Sequence, residues 1–189
     1  MKFIALALCS VLFGSASIAH ATDRTGDALR RFGVGKWEVI EFVGSRELLY
    51  RIATEGKSAQ SDFANHIVFD FLPSLSCEPA PALQIVDMGT YRPSLDNGLL
   101  PLSYKVPGRK EQSELVRTRM SEGDNFAYFQ IIHLEAPEIL AAKDAGHLVI
   151  WVPGSADRTV TRSKSMFFSL HGFTAAYQKA SQLCKENLR

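Results

Sequence analysis

The amino-acid sequence predicts a mainly β protein with a short helix near residues 137–145 and a C-terminal helix packed on the sheet. Three observations support this fold class. Short runs rich in β-branched and aromatic residues alternate with turn signals from Gly33 to Val152. The apolar period becomes helical around Pro137. The last segment carries a single apolar stripe at three- and four-residue spacing, which is typical of a surface helix.

Residues 1–21 have the three-part pattern of a secretory signal peptide. One lysine precedes an apolar stretch over residues 3–13, and the segment ends in Ala19-His20-Ala21. The apolar stretch is shorter than the roughly 20 residues that cross a bilayer, so we do not expect a membrane-spanning protein. We predict cleavage after Ala21 and a periplasmic or secreted location. Residues 22–189 would then form a single β-rich domain.

Cleavage would leave 168 residues with equal numbers of basic and acidic side chains. The whole chain has 21 Lys and Arg against 20 Asp and Glu, and Lys2 is the only charged residue of the signal. A net charge of zero provides no general attraction to nucleic acid or to an anionic membrane. We therefore expect no nucleic-acid partner.

Two cysteines, Cys77 and Cys184, remain after Cys9 leaves with the signal. In an oxidising compartment an even pair is expected to form a disulfide, and the alternative is two free thiols. Closing a loop of roughly 100 residues stabilises a fold by about 4–5 kcal/mol in the chain-entropy account. This link would fasten the C-terminal helix to the middle of the chain.

Nine strands are predicted from alternating or buried-type apolar runs. Two strand pairs are expected to form hairpins across short turn-forming segments, 34–43 with 47–53 and 115–120 with 126–132. Residues 22–31 are predicted to be a mobile leader or a short helix, and residues 77–81 a stiff connection between strands. The remaining predicted strands are residues 63–71, 83–88, 102–106, 147–152 and 165–170.

Two helices follow from the C-terminal third of the sequence. Pro137 suits a first helical turn, and Gly146 suits a left-handed stop after Ala145. Gly172 separates the last strand from the terminal helix. The apolar stripe of that helix consists of Phe173, Ala176, Tyr177, Ala180, Leu183 and Cys184.

This C-terminal third resembles the invasion-associated locus B family of small periplasmic proteins. The resemblance lies in residues 139–146 (ILAAKDAG), the strand that ends at Val152, residues 168–176 (FSLHGFTAA) and Cys184, and it extends to residues 35–39 (GKWEV). It implies a secreted, β-sandwich-like domain without a cofactor, linked to host association or envelope physiology. It also implies no established catalytic site, so no functional residue is carried over. Family members commonly have a cysteine near the first strand, where this chain has Ile40, Glu41 and Phe42.

Metal and nucleophilic chemistry are not indicated by local patterns. None of His66, His133, His147 and His171 has another histidine or cysteine within five residues, whereas zinc sites often contain such a close pair. The chain has no G-x-S-x-G elbow and no phosphate-binding glycine loop. We expect neither a cofactor nor a metal.

A basic cluster offers a candidate binding surface. Arg117 and Arg119 would share one face of a strand because side chains two residues apart point the same way, and Tyr128 is their candidate aromatic companion. That face could receive an acidic partner or a glycan. The alternative is an ordinary solvated face, balanced by Glu111, Glu114 and Glu122. The cluster also includes Lys105, Arg109, Lys110 and Tyr104, and Arg158, Arg162 and Lys164 form a second basic group.

Three functions remain open at this point. The favoured hypothesis is a non-enzymatic binding or accessory protein of the bacterial envelope, with a protein partner in the envelope or host. The second is an envelope hydrolase whose histidine and carboxylate meet only in the fold. The third is a small-molecule carrier with an apolar cavity.

Overall fold

The computed structural model describes residues 28–43, 47–58, 64–86, 88, 91–93, 98–121, 126–154 and 164–188. These residues form eleven strands, two α-helices (α1, Ala136–Leu140, and α2, Phe173–Lys185) and a 3₁₀ helix at Pro73–Leu75. The mainly β fold with a C-terminal helix is therefore confirmed. The strands are β1 (Ala28–Val34), β2 (Trp37–Val43), β3 (Leu48–Glu55), β4 (Lys57–Ser58), β5 (Asn65–Phe71), β6 (Pro79–Ile85), β7 (Leu99–Lys105), β8 (Gln112–Ser121), β9 (Phe126–Gln130), β10 (His147–Val152) and β11 (Lys164–Ser169).

The strands pair antiparallel in one sheet, in the order β1-β2-β3-β5-β6-β9-β8-β7-β10-β11-β4. Only Gly56 separates β3 from β4 in the chain. Strand β4, which is last in the sheet order, is therefore the direct continuation of β3. The sheet therefore curls back on itself, and β11 approaches β3 and β5. Its two halves enclose one apolar core, so the two layers of the sandwich-like arrangement belong to a single sheet.

The bend between β3 and β4 requires a residue without a side chain. A Cβ atom at Gly56 would lie 2.0 Å from Asn65 Oδ1 and 2.5 Å from a ring carbon of Phe168. Because neither neighbour leaves room for a methyl group, glycine allows the first and last strands of the curled sheet to come together.

The N-terminal hairpin differs from the prediction. The sequence predicts one strand over residues 34–43, whereas the structure has β1 and β2 joined by a turn at Gly35 and Lys36. Gly35 has a φ of 63°, which favours glycine. Residues 28–31, predicted as a leader or helix, belong to β1, because pairing with β2 overrides a weak helical pattern. Residues 22–27 and the signal segment lie outside the described residues.

The two predicted hairpins are confirmed as antiparallel pairs, β2 with β3 and β8 with β9. Their turns, residues 44–46 and 122–125, lie outside the described residues. The predicted connection at residues 77–81 is wrong in part, because β6 begins at Pro79. Strand β9 pairs with β6 only from Ala82 onward, so the proline-containing end of β6 has one partner strand, as an edge strand does.

Helix α1 is shorter than the predicted helix over residues 137–145. It ends at Leu140, and Lys143 and Asp144 then adopt left-handed conformations with φ of 51° and 59°. The Asp144 carboxylate accepts hydrogen bonds from the backbone N–H and the hydroxyl of Thr174, at 2.8 and 2.7 Å. Asp144 therefore satisfies a free N–H in the first turn of α2, where a negative charge also complements the helix dipole.

Helix α2 packs its predicted apolar stripe on the inner face of the sheet. The stripe residues are buried, except Tyr177, which is half-buried. The Phe173 ring contacts Trp37 and Phe69 at centroid distances of 5.0 and 5.3 Å, and the Tyr177 ring lies 5.4 Å from that of Phe71. Full burial of a side chain such as Phe173 contributes about 1.5–3 kcal/mol. No helix within the described ranges is long and apolar enough to cross a membrane.

The β1–β2 turn and the start of α2 touch through their backbones. Lys36 N–H donates to the His171 carbonyl at 3.0 Å, and Trp37 Nε1–H donates to the Ser169 carbonyl at 2.9 Å. Gly172, with a φ of 91°, is the break predicted before the terminal helix. A Cβ atom there would lie 2.4 Å from the Val34 carbonyl oxygen, so this contact requires glycine for both space and conformation.

The predicted cysteine pair lies at bonding distance. The Sγ atoms of Cys77 and Cys184 are 2.08 Å apart, and both residues are buried. The pair is thus compatible with a disulfide that joins the segment before β6 to the last turns of α2.

Replacing both cysteines with serine should lower the free energy of unfolding by about 2–5 kcal/mol, because the link closes a separation of 107 residues. Urea unfolding of Cys77→Ser/Cys184→Ser and wild type, followed by circular dichroism, measures this difference. Reduced wild-type protein should unfold at a midpoint near that of the variant. Equal midpoints for the oxidised wild type and the variant would contradict the stabilising role.

Gly172→Ala should destabilise the fold by more than about 2 kcal/mol, since it adds a steric clash to the strain of a positive φ. Gly98→Ala is the matched control. Gly98 also has a positive φ of 74°, but no atom lies within 4 Å of the added Cβ, so conformational strain of about 1 kcal/mol is expected. Similar losses in thermal or urea unfolding for the two variants would refute a tight backbone contact at Gly172.

Candidate functional site

The structure brings Arg117, Arg119 and Tyr128 onto one face of the sheet. In β8 and β9, Val116 and Phe129 are fully buried in the core. Because side chains alternate along a strand, the three predicted residues lie on the opposite side, which we call the outer face. Arg119 is paired with Tyr128 across the two strands, and both arginines are exposed. The predicted sharing of a face by Arg117 and Arg119 is therefore confirmed, whereas their role in binding remains a prediction.

Two glutamines extend this set of side chains. Gln84 on β6 pairs with Tyr128, and Gln130 on β9 pairs with Arg117. Gln84 is only 3% exposed, and its Nε2 atom has no hydrogen-bond partner among the described residues. Sequence reasoning missed Gln84. The local signal was a polar residue between the core residues Leu83 and Ile85, but its proximity to Tyr128 depends on a strand pairing distant in sequence.

The alternative to a binding surface is a solvated face whose arginines are balanced by Glu111, Glu114 and Glu122. The described contacts do not show this balance. Among the residues that the structure describes, neither Arg117 nor Arg119 makes an ion pair or a side-chain hydrogen bond. The Glu114 carboxylate instead accepts the backbone N–H groups of Ile132 and His133, at 3.2 and 3.3 Å. Glu111 is exposed, and Glu122 lies outside the described residues.

The other residues of the predicted basic cluster do not lie together with Arg117 and Arg119. Lys105 is exposed on β7, while Arg109 and Lys110 lie in the β7–β8 turn. Tyr104 is not a surface companion, because its side chain is buried and its hydroxyl donates to Gln112 Oε1 at 2.8 Å. In the second basic group, Lys164 is 2% exposed and thus does not form a surface charge. Arg158 and Arg162 lie outside the described residues.

The outer face also carries exposed apolar side chains, of which Leu115 lies two residues from Arg117 on β8. Leu115 is 61% exposed and pairs with the exposed Pro101, and Phe167 on β11 is 38% exposed. Trp151 is half-buried and pairs with Ser103 and Ser165. The outer face of β7, β8, β10 and β11 therefore combines cations with aromatic and aliphatic surface, a composition found at protein–protein interfaces.

The surroundings of Tyr128 keep its phenol neutral. Burial raises the pKa of Tyr128, the Asp70 carboxylate raises it further, and Arg51 and Arg119 oppose this. Asp70 and Arg51 form a buried ion pair, with Nε–Oδ1 and Nη2–Oδ2 distances of 2.6 and 2.9 Å. A tyrosine hydroxyl is uncharged at neutral pH, and these surroundings extend the neutral range of Tyr128 to higher pH.

The four histidines that follow the predicted signal segment do not converge on a common site. His133, His147 and His171 are exposed on separate segments, and His66 is half-buried on β5, opposite Gln84. The described part of the chain contains no group of three His, Cys, Asp or Glu residues that could hold a metal ion. The positions of the histidines therefore provide no geometric support for the hydrolase hypothesis.

A groove of about 570 Å³ runs along α2. The surface that lines it is mostly apolar, but the groove is open to solvent, unlike the enclosed apolar cavity that the carrier hypothesis requires. The lining residues are Tyr177, Gln178, Ser181, Gln182, Lys185 and Glu186.

Comparison with known structures supports the fold-level relationship predicted from the sequence. The chain is similar to the crystal structure of invasion associated protein B from Bartonella henselae, with a TM-score of 0.58 and 14% sequence identity. The similarity covers 83% of this chain and 98% of that chain. No family model and no curated protein matches the sequence. At this identity the similarity shows a shared fold, and membership of the family remains a prediction.

Tyr128 should remain protonated in the folded protein through pH 10.5, because burial raises its pKa above the ordinary value near 10. The folded wild type and Tyr128→Phe should therefore show equal tyrosinate absorbance at 295 nm at this pH. In urea they should differ by one of the five tyrosines. Stability from the neutral phenol is complete below pH 10 and is lost as the pH rises further. A difference in tyrosinate absorbance between the two folded proteins at pH 10.5, similar to that seen in urea, would contradict this environment.

Proposed function

We propose that this protein is a non-enzymatic binding or accessory protein of the bacterial envelope, which binds an acidic protein partner through its outer face. One observation carries the proposal: Arg117 and Arg119 are exposed, without ion pairs among the described residues, beside the apolar surface of Leu115. Arginine and tyrosine are among the residues that contribute most to binding at protein interfaces, and Tyr128 lies directly opposite Arg119 on this face. An unbalanced positive patch also favours association with a negatively charged partner.

The proposed location rests on two features of the chain. Residues 1–21 have the pattern of a secretory signal. Cys77 and Cys184 lie at bonding distance, and disulfides persist in oxidising compartments such as the periplasm. These features support export and a periplasmic or secreted protein.

Host association is the role that we propose for the complex. The support is the fold shared with a protein named as invasion associated, together with the sequence resemblance around residues 139–146 and 168–176. The partner would therefore belong to the envelope or to the host cell surface.

Charge reversal of the outer face tests this function. Arg117→Glu/Arg119→Glu should reduce partner capture from periplasmic extract or host membranes at least about tenfold, since like charges would then face an acidic partner. Arg109→Glu/Lys110→Glu is the matched control, because it makes the same charge change in the exposed β7–β8 turn. Circular dichroism should show that both variants are folded. Equal capture by the two variants, or turnover of an envelope substrate by wild type, would refute the proposal.

A further inference from the structure

We propose that Arg119, Tyr128 and Gln84 form a carboxylate-binding site on the outer face, which receives an aspartate or glutamate side chain of the partner. The inference rests on the proposed function and identifies the chemical group that this surface recognises. It extends the candidate surface onto β6 and includes a residue that the charge pattern of the sequence did not reveal.

Strand register places the three donors in one row. Arg119 on β8 pairs with Tyr128 on β9, and Tyr128 pairs with Gln84 on β6. Directly opposite side chains in neighbouring antiparallel strands begin roughly 5 Å apart. A guanidinium group, a hydroxyl and an amide therefore start within reach of a single small ligand.

Gln84 provides independent evidence for a missing partner. Its side chain is almost fully buried, and its Nε2 donor is unpaired among the described residues. Leaving a buried donor unpaired is costly, and native structures rarely do so without a reason such as an absent ligand. An acceptor atom that enters between Tyr128 and Gln84 would satisfy this donor.

The donor set suits a carboxylate. An ionised carboxylate only accepts hydrogen bonds and offers about four lone-pair positions, which one guanidinium fork, one hydroxyl and one amide can share. The Tyr128 phenol is protonated at neutral pH and can donate one hydrogen bond. The neighbouring Asp70 carboxylate pairs with Arg51 and does not bond to the Gln84 amide.

The adjacent row could hold a second acid. Arg117 pairs with Gln130, so a guanidinium and an amide recur one step along the same face. Two such rows favour a partner segment with several acidic side chains over one with an isolated acid.

Nuclear magnetic resonance with defined peptides tests this site in the full-length mature protein. The probe is a capped tetraglutamate peptide, and a capped tetraglutamine peptide is its uncharged control. The side-chain amide resonances of Gln84 are identified by their loss in Gln84→Met. Titration with tetraglutamate should shift these resonances saturably, whereas tetraglutamine should leave them unchanged.

Two variants measure the contribution of the donors. Gln84→Met and Arg119→Gln should each weaken tetraglutamate binding about tenfold, the loss expected when one hydrogen bond to a charged group is removed. Arg109→Gln, in the β7–β8 turn, should leave the affinity unchanged. Unaltered binding by Gln84→Met, or no response of the Gln84 amide, would overturn the site. An equal response to inorganic phosphate would overturn its assignment to carboxylates.

The outcome is separable from that of the proposed function. If Arg117→Glu/Arg119→Glu abolishes partner capture but tetraglutamate does not affect Gln84, the carboxylate site is wrong and the binding surface stands. If tetraglutamate binds at Gln84 but the charge reversal leaves partner capture intact, the proposed function is wrong and the carboxylate site stands.

Discussion

The backbone contact between the β1–β2 turn and the start of α2 holds the two ends of the described chain together. Lys36 and Trp37 donate hydrogen bonds to the His171 and Ser169 carbonyls, and Gly172 allows the close approach. The contact positions Phe173 between Trp37 and Phe69, so the aromatic part of the core depends on it. A side chain at this crossing would separate the terminal helix from the hairpin that it covers.

Packing on the inner face leaves the outer face available for binding. Each strand that places an apolar residue in the core places the next residue on the other side of the sheet, because side chains alternate. Val116 and Phe129 lie in the core, and Arg117 and Tyr128 are consequently on the outer face. The same alternation places Gln84 between Leu83 and Ile85 but on the opposite side. The candidate surface is thus a direct consequence of how the core is filled.

Structural features that depend on one segment of the chain can be predicted from the sequence, whereas features that depend on contacts between distant segments cannot. The α2 stripe and the β10 strand were predicted well because their apolar periods are contained within the segments. The turn at Gly35 was missed because apolar and aromatic residues flank it on both sides. The length of α1 was overestimated because Asp144 bonds to Thr174, a residue 30 positions away. The sequence predicts Tyr104 as part of a surface cluster, but its side chain is buried and its hydroxyl donates a hydrogen bond to Gln112.

Four features can be predicted from the amino-acid sequence: the mainly β character, the terminal amphipathic helix, the candidate cysteine pair and the shared face of Arg117 and Arg119. These features follow from spacing along one segment or from residue type. Three further features emerge from the packing of the strands: the curl of the sheet, the burial of Tyr104 and Lys164, and the alignment of Gln84 with Tyr128 and Arg119. Such features depend on which strands become neighbours, and that choice reflects the free energy of packing the whole core rather than any local pattern.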